Sequence, residues 1–190
     1  NVAVVVPALN EALRIREVVE GALGACDHVI VIDDGSDDDT AAKIADLPIT
    51  LLRHPQRMGK GASLRDGFRE AERLGMAAVT TMDGDGQHDI GYLDEVVKPI
   101  LDDQADIVIG SRFIETVKTS GNFKPTRMRR AGIHWLSGII KFLTGKRIYD
   151  VTSGYRAANK RYISYFAENY SVDYPEPEAI VAAVENGARI

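Results

Sequence analysis

Cysteine is almost missing: Cys26 stands alone among 190 residues. One thiol excludes an intrachain disulfide and a cysteine-built zinc site, and it fits a reducing, cytoplasmic setting. Positive charge is also short, with 23 Lys and Arg against 28 Asp and Glu, a formal net charge of -5. A general nucleic-acid binder would be basic overall, so nucleic acid is not expected as a partner. No apolar run is long enough to cross a bilayer, and no signal-peptide pattern opens the chain. Low-complexity tracts, internal repeats and linker-like stretches are missing as well. A single domain over residues 1–190 is therefore expected. Both ends read as cut. Asn1 stands directly against an apolar run, and Ala188-Arg189-Ile190 reads as the start of another strand, so truncation at both ends is expected.

What is present is a rhythm of short β-branched runs and helical stretches. Val2 to Pro7, His28 to Asp33, Ile49 to Arg53, Ala77 to Asp83 and Ala105 to Ser111 read as strands. The first four are continuously hydrophobic, the pattern of strands buried on both faces. Helices are predicted over Glu11 to Leu23, Asp38 to Ala45, Lys60 to Leu74 and Asp89 to Leu101, with Asp37 or Asp38 capping the second and Gly75 stopping the third. Repeated β-α units of this kind imply an α/β fold with a mostly parallel central sheet flanked by helices. The second half departs from the rhythm. A polar loop around Thr116 to Pro125 leads to a predicted helix near Arg127 to Leu143, then a turn, the segment Asp150 to Ala158, and a last helix near Pro177 to Asn186.

Ligands of open α/β sheets sit beyond the carboxyl ends of the strands. Here those ends read Pro7-Ala8-Leu9-Asn10-Glu11, Asp33-Asp34-Gly35-Ser36 and Asp83-Gly84-Asp85-Gly86-Gln87. One acid at a strand end is ordinarily a cap or a solvated turn, the reading that suits Asp37 to Asp39. Three strands ending alike point to a site. Asp83, Asp85 and Gln87 offer oxygen ligands at alternate positions, the donor type that Mg²⁺ and Mn²⁺ prefer. A cation bridging a diphosphate would neutralise charge on a nucleoside-diphosphate leaving group. A calcium loop also opens with D-x-D, but His88 stands where that loop needs glycine and Asp94 replaces its bidentate Glu.

Gly59-Lys60-Gly61 before a helix can bring backbone N–H groups and a cation to a phosphate, although a plain helix entry explains it equally well. It is not a Walker A loop, because His54 occupies the first glycine position and Gly61 the Ser/Thr position. No acidic residue occurs from Thr116 to Tyr149, whereas Lys118, Lys124, Arg127, Arg129, Arg130, Lys141, Lys146 and Arg147 are basic. Such asymmetry in an acidic chain suggests an anionic partner. Ile133, Trp135, Leu136, Ile139, Ile140, Phe142 and Leu143 add an apolar face, so this helix either lies on an anionic membrane surface or packs on the core. Gly110-Ser111-Arg112 and Asp150-Val151-Thr152-Ser153-Gly154-Tyr155-Arg156 place arginines near strand ends, where they suit phosphate oxygens. Capping accounts for Glu176 and Glu178 at the start of the last helix.

In order and spacing, P-A-L-N-E, V-I-D-D-G-S, G-K-G, D-G-D-G-Q-H, G-S-R and D-V-T-S-G-Y-R resemble family-2 glycosyltransferases of the GT-A fold. The resemblance spans nearly the whole chain and is nearest to the dolichol-phosphate mannose synthases and bacterial polyprenyl-phosphate glycosyltransferases. It implies that Pro7, Ala8, Asn10, Glu11, Asp34, Lys60, Gly61, Asp83 and Gly84 bind the nucleotide of a UDP- or GDP-linked sugar. It further implies that Asp83, Asp85 and Gln87 handle Mg²⁺ or Mn²⁺, and that Arg112, Arg129, Ser153 and Arg156 lie toward the acceptor. The implied reaction is inverting transfer by in-line attack on the anomeric carbon, with a polyprenyl (dolichyl or undecaprenyl) phosphate as the expected acceptor at the cytoplasmic face of the membrane. A phosphate acceptor needs no protein base. A saccharide hydroxyl would need one, for which Asp150 and Glu178 are the candidates beside Asp85 at the donor. Two rivals stand against this reading, a sugar nucleotidyltransferase and a nucleotide-sugar-binding subunit without turnover. The first would carry a glycine- and arginine-rich loop after the first strand; retention of Asp83 and Asp85 counts against the second.

Overall fold

A computed structural model of the chain describes residues 1–86, 88–111, 137–138, 141, 145, 148 and 150–190. Six strands form one sheet: β1 (Val2–Ala8), β2 (His28–Asp33), β3 (Thr50–Arg53), β4 (Ala78–Thr81), β5 (Ile107–Ile109) and β6 (Arg156–Asn159). Their order is β3-β2-β1-β4-β6-β5. The first four in that order run parallel, while β6 is antiparallel to both β4 and β5. The helices fully within the described residues include α1 (Ile15–Leu23), α2 (Lys60–Arg73), α3 (Leu93–Leu101), α4 (Lys160–Asn169) and α5 (Pro175–Glu185).

Alternation along β1 shows why its sequence is hydrophobic without a break. Ala3 and Val5 face a layer built from Leu64 and Phe68 of α2 and Tyr162, Ile163 and Phe166 of α4. Val4 and Val6 face Ile15, Val18 and Val19 of α1 and Val96, Val97 and Ile100 of α3. Both faces are dry, so neither register position can be polar. Helix α2 lies especially close to the sheet. An added Cβ at Gly67 would lie 2.4 Å from Val5 Cγ1 and 2.9 Å from Ile32 Cδ1, so only glycine permits this approach.

Two predicted helices differ from those observed, and one observed helix is not among those predicted. The helix over Asp38 to Ala45 shrinks to one 3-10 turn, Ala42–Ile44. Its acids are engaged elsewhere: Asp38 accepts from the backbone N–H of Thr40 and of Ala12, a side-chain-to-backbone pattern that competes with helix formation. The first helix starts at Ile15 rather than Glu11, because Asn10 is left-handed (φ 57°) and Glu11 O closes a turn onto Arg14 and Ile15. Helix α4 is an addition. Asn159 caps it by accepting from Tyr162 N–H, and Tyr162, Ile163, Phe166 and Ala167 form its buried stripe. The predicted helix near Arg127 to Leu143 falls almost wholly outside the described residues.

Gly67→Ala is expected to destabilise the protein by about 1–3 kcal/mol through overpacking against a stiff, buried valine. Gly21→Ala, whose Cβ would meet Ile90 Cγ2 at an ordinary 3.6 Å inside α1, should instead stabilise by about 0.5–1 kcal/mol. Urea-unfolding midpoints of the two variants check the pair.

Candidate functional site

The parallel strands β1, β2 and β4 deliver their carboxyl ends to one edge, and the loops there are laced together. Asn10 N–H donates to Ser36 Oγ at 3.0 Å, Asp37 N–H donates to Asn10 Oδ1 at 3.0 Å, and Glu11 N–H donates to Thr40 Oγ1 at 2.8 Å. Asp33, fully buried, accepts from Ser36 N–H at 2.9 Å and pairs with Arg53 at 3.0 Å. Asp34 organises the next loop. Its Oδ1 accepts from Met58 N–H at 2.7 Å and meets His54 Nδ1 at 2.7 Å, while its Oδ2 accepts from Gly59 N–H at 2.8 Å. His54 is itself buried and reaches Asp66 with Nε2 at 3.2 Å. Burial pushes the Asp34 carboxyl upward, but the His54 contact and the two backbone N–H groups outweigh it and hold the group below its ordinary value.

That loop sets Lys60 at the first turn of α2. Lys60 Nζ lies 2.7 Å from Asp83 Oδ1 and 2.6 Å from Glu176 Oε1. On the other oxygen of Asp83, His88 Nε2 approaches to 3.3 Å, and its ring stacks on Tyr155 at 5.3 Å with a 15° interplanar angle. Gly154 presses on the same carboxylate, since a Cβ there would lie 2.6 Å from Asp83 Oδ2. Desolvation alone would raise Asp83, yet His88 and Lys60 more than reverse it and keep the carboxyl far below the usual range. Desolvation lowers Lys60, and the two facing carboxylates raise it above its ordinary value. Glu11 is raised, first by burial and then by the neighbouring charge of Asp85.

Glu11, Asp34, Lys60 and Asp83 share a cleft of about 250 Å³, lined also by Pro7, Ala8, Leu9, Arg57, Ser63, Gly84 and Asp85. Of the residues named for the donor from the sequence, it gathers Pro7, Ala8, Glu11, Asp34, Lys60, Asp83, Gly84 and Asp85. Asn10 is directed elsewhere, its amide oxygen held by Asp37 N–H. Gly61 lets α2 pack tightly, because an added Cβ would fall 2.1 Å from Ser171 O. Arg57 and Ser63 join the cleft from positions with no motif of their own.

The acceptor-side residues divide. Gln87, Arg112 and Arg129 lie outside the described residues. Arg156 donates from Nε, Nη1 and Nη2 to the main-chain carbonyls of Ser153, Glu176 and Val151 at 2.7, 2.7 and 2.9 Å. Ser153 is buried, its hydroxyl accepting from Tyr155 N–H at 3.2 Å. Asp150 is buried beside Thr152, and Glu178 is engaged by the Ser171 hydroxyl; neither lines the cleft.

Among the described residues, no three His, Cys, Asp or Glu side chains converge on one cation position. The donor set nevertheless suits Mg²⁺ or Mn²⁺, which are commonly bound through one or two carboxylates with phosphate and water completing the shell. Asp83 and Asp85, which line one cleft, are the two carboxylates that would fit such a shell.

The sequence model of "Glycosyl transferase family 2" matches residues 3–166. A UDP-N-acetylglucosamine-dolichyl-phosphate N-acetylglucosaminyltransferase of Methanococcus voltae is 29% identical, covering 98% of this chain and 81% of that protein. A polyprenol monophosphomannose synthase of Mycolicibacterium smegmatis is 31% identical over 81% of this chain and 60% of its own length. In structure, glucosyl-3-phosphoglycerate synthase from Mycobacterium tuberculosis with Mn²⁺, UDP-glucose and glycerol 3-phosphate superposes with a TM-score of 0.73. At 19% identity, over 98% of this chain and 66% of that one, this likeness establishes the GT-A fold.

Asp34→Asn should destabilise the protein by about 1–3 kcal/mol at neutral pH, since it leaves the Met58 and Gly59 N–H groups short of a charged acceptor. Because the folded carboxyl titrates below its ordinary value of about 3.9, this contribution is complete above that value. It is lost as pH falls through the folded value. Denaturant titrations of both proteins from pH 7 to pH 3 should show the gap narrowing at the acid end.

Proposed function

The chain belongs to glycosyl transferase family 2 and is a glycosyltransferase, and we propose that it moves a sugar from a UDP- or GDP-linked donor to a polyprenyl phosphate. The observation that carries this reading is the convergence of Asp83, Asp85 and Lys60 in one cleft at the carboxyl ends of parallel strands. In that reading the donor diphosphate enters beside Lys60 and Arg57, which supply positive charge, while Asp83 and Asp85 with Gln87 hold Mg²⁺ or Mn²⁺. A bound cation would neutralise charge building on the departing nucleoside diphosphate. Lys60 would serve the same end, because an ammonium half withdrawn from water acts more strongly than one in bulk solvent.

Support for a lipid-phosphate acceptor comes from the relatives, a dolichyl-phosphate N-acetylglucosaminyltransferase of Methanococcus voltae and a polyprenol monophosphomannose synthase of Mycolicibacterium smegmatis. The acid-free, basic stretch from Thr116 to Tyr149 suits an anionic acceptor at a membrane surface. No described helix is long and apolar enough to cross a membrane, so such contact would be peripheral within these residues. A phosphate oxygen is already anionic near neutral pH, so its in-line attack, with inversion, requires no protein base. Of the carboxylates considered as a base for a hydroxyl acceptor, Asp150 and Glu178 do not line the cleft, whereas Asp85 does.

Asp83→Ala and Asp85→Ala should each lower transfer to a polyprenyl phosphate by about 100-fold or more, the scale of losing several kcal/mol of charge stabilisation. Chelation with EDTA should do the same to the unaltered protein, with recovery on adding Mn²⁺. Radiolabelled sugar extracted into the lipid phase reads the result; full activity in either variant would remove that carboxylate from the mechanism.

A further inference from the structure

Helix α5 opens with proline in its first turn and the acids Glu176 and Glu178, a sequence that local helix physics explains completely. Glu178 follows that reading and stays at the surface with Ser171. Glu176 does not. Its side chain is only 17% exposed, its Oε1 lies 2.6 Å from Lys60 Nζ, and its carbonyl oxygen accepts from Arg156 Nη1 at 2.7 Å. A surface capping acid needs neither contact.

We propose that Glu176 is a positioning residue of the donor site, holding the Lys60 ammonium so that Lys60 serves Asp83 and the donor diphosphate together. The proposal rests on the reading of the cleft as the donor site. Lysine carries three N–H donors on a flexible four-carbon stem. Asp83 and Glu176 take one each, at 2.7 and 2.6 Å, which fixes the stem and leaves a donor for a phosphate oxygen. Once Asp83 is shared with a bound donor, Glu176 is the anchor that keeps Lys60 from following the phosphate or withdrawing into solvent.

One turn sets both anchors. Arg156 ties the Glu176 carbonyl to those of Val151 and Ser153, and Gly154 of the same turn abuts the Asp83 carboxylate. The inward direction of Arg156 thereby acquires a purpose. It places the start of α5 at the distance where a glutamate reaches Lys60.

The test is calorimetric titration of UDP and of GDP, with and without Mn²⁺, into the unaltered protein, Glu176→Gln, Lys60→Gln and the double variant. Glu176→Gln should weaken nucleotide binding by about tenfold, the cost of one charge-assisted contact, while the acceptor KM stays unchanged. Lys60→Gln should weaken it further, and the double variant should bind no worse than Lys60→Gln. That non-additivity is what a purely structural role would not produce. Should Glu176→Gln fail to fold by circular dichroism, Glu176→Asp takes its place, and weaker binding with the same coupling is expected. Unaltered affinity in the Glu176 variant, or losses that add in full in the double variant, would overturn the proposal alone. If the unaltered protein binds neither nucleotide, the donor-site reading falls and the proposal with it.

Discussion

Four neighbouring strands, β3, β2, β1 and β4, run in the same direction, and the site follows from that constraint. Parallel pairing sends every strand's carboxyl end to one edge, with the return path made through helices on both faces. Acidic residues separated by up to 74 positions in the chain, with Glu11 and Asp85 at the extremes, are thereby brought to a common rim. The same geometry buries β1, β2 and β4 on both faces, while β3, at the sheet edge and expected to be buried like them, stays partly exposed. Their hydrophobic continuity and the clustering of acids at their ends are therefore two results of one arrangement.

Gathering so much negative charge has an electrostatic cost, and the structure offsets it locally rather than by exposure. Asp33 is met by Arg53, Asp34 by His54 and two backbone N–H groups, and Asp83 by Lys60 and His88. Asp34 and Asp83 are held below the ordinary carboxylate range because each finds a cation or a donor within hydrogen-bonding reach. Glu11 has no such excess of positive neighbours and is displaced the other way, toward protonation. Within one cleft, Asp83 beside Lys60 is thus held charged, while Glu11 beside Asp85 is eased toward neutrality.

Family membership and this field speak to different parts of the chemistry. Membership establishes a glycosyltransferase, and the GT-A fold accounts for the cleft at the strand ends. The field explains how this chain would receive a diphosphate, a dianionic group that needs both a cation and a fixed ammonium in a site of acidic walls. Arg156 adds a structural part that its motif does not announce: its guanidinium holds three main-chain carbonyls together beside the cleft-facing turn.

By itself, the sequence determined whatever depends on near neighbours and on regular periodicity. Buried strands, the helices after them, the acidic strand ends and Lys60 at a helix entry all carry local signals, because hydrophobic period and turn chemistry act over a few residues. Where local signals competed, local reading failed. Asp38 bonds to Ala12 instead of capping a helix, and the aromatic stripe of α4 follows an antiparallel strand outside the β-α rhythm. Tertiary structure alone decided the pairings across long separations. Lys60 with Glu176, Arg156 with the start of α5, and Gly154 against Asp83 are set by which elements pack together. No pattern of neighbouring residues encodes such contacts. A glutamate at the first turn of a helix satisfies the helix dipole equally well whether it faces solvent or a lysine 116 positions earlier in the chain.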